Sequence, residues 1–132
     1  MIRPASFGFN AETASSNVFQ GSVPMNEHQV QVKAVEEFDH FVDILRAHNI
    51  DVLVIEDTPY PVKPDAVFPN NWVSFQRDGS VILYPMQAKS RRAERRPEII
   101  EALGREFRID DVIDLTGYEK SDRFLEGTGN AP

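Results

Sequence analysis

Twice in this chain an apolar-striped helical segment runs without a break into an apolar strand-like run. The first helix is expected over residues 27–48. Val30, Val35, Phe38, Phe41, Val42 and Leu45 recur there at helical spacing, opposite Glu36, Glu37, Asp39 and Arg46. Asn26 is a suitable N-cap, with Glu27 in the first turn. Residues 50–55, IDVLVI, follow at once and read as a strand covered on both faces. The second helical pattern spans 91–107, with Ile99, Ile100, Leu103 and Phe107 inward. Pro97 fits only its first turn, which leaves residues 91–96 as a separate turn. A strand over 109–115 follows. Phe41, Leu45 and Ile50 match Ile99, Leu103 and Ile109 at offsets of 58, 58 and 59.

A hairpin precedes the second helix. Residues 66–76 read as a strand, Arg77-Asp78-Gly79-Ser80 as a tight turn, and 81–84 as the return strand. The unit is therefore strand-strand-helix-strand, an α/β pattern. Such a unit cannot bury its own apolar face and is expected to stack with others around an axis. The expected modules are residues 1–58 and 59–116, with the start of a third over 117–132, within one partial domain. Residues 3–10 could hold a short strand, 118–123 read as a polar loop, and 124–129 as the beginning of a strand or turn.

Charge and composition exclude several functions. The net charge of −7 argues against nucleic acid as a partner, and the basic cluster over 89–96 is too short to reverse it. No apolar run approaches a membrane span, and the start lacks the apolar core of a signal peptide, so the cytoplasm is the default expectation. The 132 residues contain no cysteine, which removes disulfides, thiolate metal sites and a cysteine nucleophile from this chain. His28, His40 and His48 lack the i, i+4 spacing of a helical zinc site and read as solvated helix positions. Neither a metal nor a cofactor is expected.

The segment from Pro64 to Gln76, PDAVFPNNWVSFQ, is too polar for a strand that merely packs. Asp65, Asn70 and Asn71 suit either turn hydrogen bonding or the wall of a small-molecule site. Without further information, the turn is the plainer account. Trp72 reads as core. Asn17 and Gln20, in the polar loop over 11–24, are candidate contacts of the same kind. Arg91, Arg92 and Glu126 read, taken alone, as a basic helix start and a surface turn. Gly127-Thr128-Gly129 is no phosphate loop, since neither a lysine nor a helix follows.

Four segments in order resemble the guanidino-group-modifying superfamily: RPASFGFNAETASSNVFQ, PDAVFPNNWVSF, YPMQAKSRRAERRPEII, and DLTGYEK followed by FLEGTG. The chain is most similar to arginine deiminase-related citrulline hydrolases, often described as amidinotransferases. It is similar at greater distance to dimethylarginine dimethylaminohydrolase and succinylarginine dihydrolase. The resemblance implies a five-module α/β propeller, the pentein fold, of which this chain would form an incomplete part. It implies hydrolysis of C–N bonds in linear amidines or ureides, with citrulline or an arginine-like amino acid as the small-molecule substrate. The family's reaction uses a Cys thiolate as nucleophile and a His as general acid and base.

Matched position by position, Asn71 falls where dimethylarginine hydrolases carry the carboxylate that grips guanidinium. Asp65 falls on the aspartate near the substrate's amino-acid end. Arg91 becomes a candidate for the substrate α-carboxylate, and Glu126 falls on the catalytic acidic position. Asn17 is carried as a further substrate contact. An amide both donates and accepts, so Asn71 with Glu126 fits a neutral ureido group better than a cation. The family's Cys has no counterpart here, and no His aligns. The chain is therefore expected to be an N-terminal fragment, inactive alone. The other reading is a non-catalytic amino-acid-binding or oligomer-completing module, since an open pair of modules leaves apolar faces bare and favours homo-oligomers or aggregation.

Overall fold

Asn26 opens the longest helix by a reciprocal cap. Its side chain accepts from the Gln29 backbone N–H at 2.8 Å, and the Gln29 side chain accepts from the Asn26 N–H. From there α1 runs over Glu27–Ala47; His48 caps it, and Asn49 just beyond takes a positive φ of 59°. The computed structural model describes residues 1–14 and 26–127 of the chain. It divides into two compact units, Met1–Phe68 and Pro69–Pro132. Among the described residues no helix is long and apolar enough to cross a membrane.

In the first unit, β1 (Ile2–Arg3) and β2 (Ile55–Glu56) pair in parallel on either side of α1 in sequence, with Ile2 opposite Ile55. Only part of the expected strand over 50–55 is ladder. Ile50 and Leu53 are exposed, and only Val52 in that run is buried. The cause lies in the register: with Ile2 opposite Ile55 in a parallel pair, residues 50–53 fall opposite positions ahead of Met1 and have no β1 partner. Phe38, Val42 and Val52 form the core, with Leu45, Val54 and Val67 packed against it. Phe41, expected inward, is half exposed. Arg3 ties β1 to α1 by a two-bond fork on Asp39, at 2.7 and 2.8 Å. That hydrogen bonding holds the Asp39 carboxyl below its ordinary range.

The second unit has the expected strand-strand-helix-strand order. Its sheet is β3 (Val73–Phe75), β4 (Ser80–Leu83) and β5 (Asp111–Asp114), with β3 antiparallel and β5 parallel to β4. The turn between β3 and β4 closes because Asp78 accepts from the Ser80 N–H at 2.9 Å and Gly79 takes φ 91°. After β4 come a short helix, α2 (Lys89–Arg92), and α3 (Pro97–Glu106), with Pro97 in the first turn of α3 as expected. Trp72, Val73, Val81, Met86 and Ile99 are buried.

Three expectations are corrected in this unit. The strand expected over 66–76 begins only at Val73, because Pro69–Asn71 forms a 3₁₀ turn in which the Trp72 N–H reaches the Pro69 carbonyl. Phe107, expected inward, sits beyond the end of α3 and is exposed. The polar loop expected over 118–123 is largely a 3₁₀ helix, Thr116–Ser121. Of the strand or turn expected over 124–129, residues 124–127 show no strand and a turn at Gly127; residues 128–132 lie outside the described part.

Candidate functional site

Three separated pieces of the second unit meet at Glu126. Leu125 donates its backbone N–H to the Pro85 carbonyl at 3.0 Å, and Gly127 donates to the Asn71 carbonyl at 2.8 Å. The chain around Glu126 is thus laid between the end of the hairpin and the 3₁₀ turn. Only glycine fits at 127, because a Cβ there would collide with the Asn70 carbonyl oxygen and crowd the Tyr84 ring.

The side chains then converge on one carboxylate oxygen. Asn71 Nδ2 donates to Glu126 Oε2 at 3.0 Å, and Arg91 Nη1 stands 3.9 Å from the same oxygen. Arg91 projects from α2 and is 6% exposed. Its Nε and Nη2 donate to the two oxygens of Glu94, each at 3.0 Å. Glu94 is 3% exposed, and the Glu126 side chain is 28% exposed. A partly open carboxylate is therefore backed by an amide and by a buried guanidinium with its own counter-ion. Such a carboxylate can accept N–H donors from a ligand and favours a cationic or N–H-rich head group.

Beside this cluster, Glu119 gathers a second set of donors. Arg95 Nη1 reaches Glu119 Oε1 at 2.5 Å and the Tyr84 carbonyl at 3.1 Å, and the Met86 N–H reaches Glu119 at 2.9 Å. Arg92 pairs with Glu119 at 3.3 Å, donates to the Met86 carbonyl, and stacks over Phe124 at 5.8 Å. Burial pushes the Glu119 carboxyl up, but the Arg95 and Met86 hydrogen bonds and the charges of Arg95 and Arg92 outweigh it and hold it below its ordinary range. Arg92 is thus a bonded structural residue and no solvated helix start.

Of the residues singled out from sequence, Asn71, Arg91 and Glu126 are brought together. Asp65 belongs to the first unit, where Oδ2 accepts from Asn10 Nδ2 at 2.7 Å and Thr13 Oγ1 at 3.4 Å. Asn17 and Gln20 lie outside the described residues. Sequence reasoning missed Glu94 and Asn10. The Arg91-x-x-Glu94 spacing on a helical segment was a usable signal, because residues three apart share a face. Nothing local pointed to Asn10, whose partner is 55 positions away. His28, His40 and His48 are exposed, and among the described residues no group of three or more His, Cys, Asp or Glu could hold a metal. The apolar groove of the first unit, along Val30, Phe38 and Phe41, is lined by none of the candidate site residues.

One family model, described as N,N dimethylarginine dimethylhydrolase, eukaryotic, matches residues 3–131. No curated protein and no solved structure matches the chain.

Proposed function

The chain belongs to the eukaryotic N,N dimethylarginine dimethylhydrolase family, and on that premise we propose that Glu126, Asn71 and Arg91 form part of a pocket for an arginine-like amino acid. The ligand class is one with a guanidino or ureido head. The reaction class of such a site is hydrolysis of a C–N bond at that head, by attack on its central carbon. Glu126 accepts head-group N–H donors and fixes the carbon. Asn71, tied through Nδ2 to Glu126, offers an amide that both donates and accepts. That favours the ureido head of citrulline beside the cation named by the family. Asp65, held by Asn10 and Thr13 in the first unit, and Asn17 are carried as proposed substrate contacts on the family resemblance alone.

The observation that carries this reading is the meeting of Asn71 and Arg91 on a single oxygen of Glu126. The 132 residues include no cysteine, so the proposal for this chain is binding without turnover. Titration calorimetry with L-citrulline, L-arginine and N,N-dimethyl-L-arginine tests it. Binding of at least one, lost in Glu126→Gln, is expected, with citrulline no weaker than the cations. Absence of binding by all three overturns the pocket, and turnover above background overturns the inactive assignment.

The strand-strand-helix-strand order of residues 73–114 supports a propeller module. We extend it to modules over 1–58 and 59–116 with a third begun at 117–132, in an incomplete pentein propeller, and we assign the chain to the cytoplasm. A second reading, a non-catalytic module completed by another copy of this chain, is favoured by exposed Val32, Phe41 and Ile44 on α1. Sedimentation velocity separates it: a monomer at all concentrations removes it.

A further inference from the structure

Glu126 Oε2 faces two groups at unequal distance, Asn71 Nδ2 at 3.0 Å and Arg91 Nη1 at 3.9 Å. A guanidinium beside a carboxylate gains most by closing a two-bond fork on it. Here the fork is closed elsewhere, on Glu94, with both bonds at 3.0 Å. Arg91 and Glu94 are buried, so their charges are screened less than they would be in water. Arg91 offsets only one of the two carboxylates, so the cluster of Arg91, Glu94 and Glu126 keeps one net negative charge. Removing the Glu94 charge would cancel it and weaken that fork, with Glu126 the carboxylate already within ion-pair reach of Arg91.

We propose that Glu94 is a positioning residue of the Glu126 site: by engaging two nitrogens of Arg91 it keeps Arg91 from capturing Glu126, and so leaves that carboxylate to Asn71 and to the N–H donors of a ligand. The ligand half rests on the functional reading above. The hydrogen-bonding half does not, and each half has its own readout.

The test uses the full chain labelled with 15N. The Asn71 side-chain amide signals, identified by their loss in Asn71→Asp, report the bond to Glu126. In Glu94→Gln these signals are expected to move as Arg91 takes over their acceptor. Adding Arg91→Met should return them toward the starting position. A merely scaffolding Glu94 would give no such return at a side chain it does not touch. Binding of the tightest of the three amino acids above should weaken about tenfold in Glu94→Gln, the scale of one lost charge-assisted hydrogen bond. Should Glu94→Gln not fold, Glu94→Asp keeps the charge on a shorter stem and is expected to shift the Asn71 signals part-way. Unmoved Asn71 signals in a folded Glu94 variant, or no return in the double variant, overturn the proposal. If the signals respond as expected while the wild-type chain binds none of the three amino acids, the positioning role stands and the functional reading falls.

Discussion

Among the described residues each unit of the molecule buries one short-range ion pair, and the two pairs are put to different uses. In the first unit Lys63, 1% exposed, places Nζ 3.3 Å from Asp57 Oδ1. Its remaining partners are the Thr58 carbonyl and hydroxyl and the Pro61 carbonyl, at 2.7 to 2.9 Å. Every partner lies within six residues, so the charge is consumed in closing its own loop. In the second unit Arg91 meets Glu94 three residues on, yet its third nitrogen reaches towards Glu126, and Glu126 binds Asn71 across 55 positions. A lysine ammonium is a point charge that carbonyl oxygens can surround. An arginine guanidinium has a third nitrogen beyond a bidentate pair, and so can link a local pair to a distant group. The first pair closes a loop; the second joins a local pair to a carboxylate far along the chain.

The sharpest way to break this comparison is Lys63→Met. The substitution keeps volume but strands Asp57, whose Oδ2 is buried without a hydrogen-bond partner among the described residues. A loss of about 3–5 kcal/mol is expected, the scale of an uncompensated buried charge. Urea unfolding followed by far-ultraviolet circular dichroism, dominated by α1, measures it. A loss below about 1 kcal/mol, typical of an exposed pair, would place Lys63 among surface pairs and end the comparison.

Glu119 supplies an intermediate case, a carboxylate that gathers two arginines and a backbone N–H without a pair of its own inside one loop. Glu119→Gln is expected to cost about 1.5–3 kcal/mol, the range for hydrogen bonds to a charged group. Its pH dependence has a definite sign. The folded carboxyl titrates below the unfolded one, so its contribution is present above the ordinary glutamate range and is lost as pH falls through the lowered value. Trp72, the single tryptophan and fully buried, reports unfolding of the second unit by fluorescence. Between neutral and acid pH the wild-type midpoint should fall further than that of Glu119→Gln; parallel curves would remove Glu119 from this role.

The parts of the fold that were legible in sequence are those set by short-range rules. The cap at Asn26, the glycine turn at Gly79 and the first-turn position of Pro97 each need only a few neighbouring residues to be specified. Residues 50–55 and 66–72 were misread because strand length depends on the partner: the β1 register offers nothing opposite residues 50–53, and a 3₁₀ turn precedes β3. Phe107 was misplaced by extending helical periodicity past the residue where α3 ends. In the site, Asn71, Arg91 and Glu126 were reachable through the resemblance. Glu94 was obscured because a charge run at the surface and a buried pair look alike in one dimension.

Asn26→Ala is the smallest of these perturbations and sets the scale for the others. It removes the acceptor of the Gln29 N–H at the exposed start of α1, with no buried charge involved. A loss of about 1 kcal/mol is expected, the usual value of an N-cap side chain. Asn26→Asp keeps an acceptor oxygen and adds a negative charge at the positive end of the helix, so it should match or slightly exceed the wild type. Both are read by the same circular dichroism unfolding as Lys63→Met, so slope and denatured-state effects largely cancel between them. The ratio of the Lys63→Met loss to the Asn26→Ala loss then decides the comparison within the first unit. A ratio near three or more, which follows from about 3–5 against about 1 kcal/mol, makes the Asp57–Lys63 loop a buried electrostatic element. A ratio near one reduces it to an ordinary polar turn, and leaves Arg91–Glu94 as the single buried pair with a role to explain among the described residues.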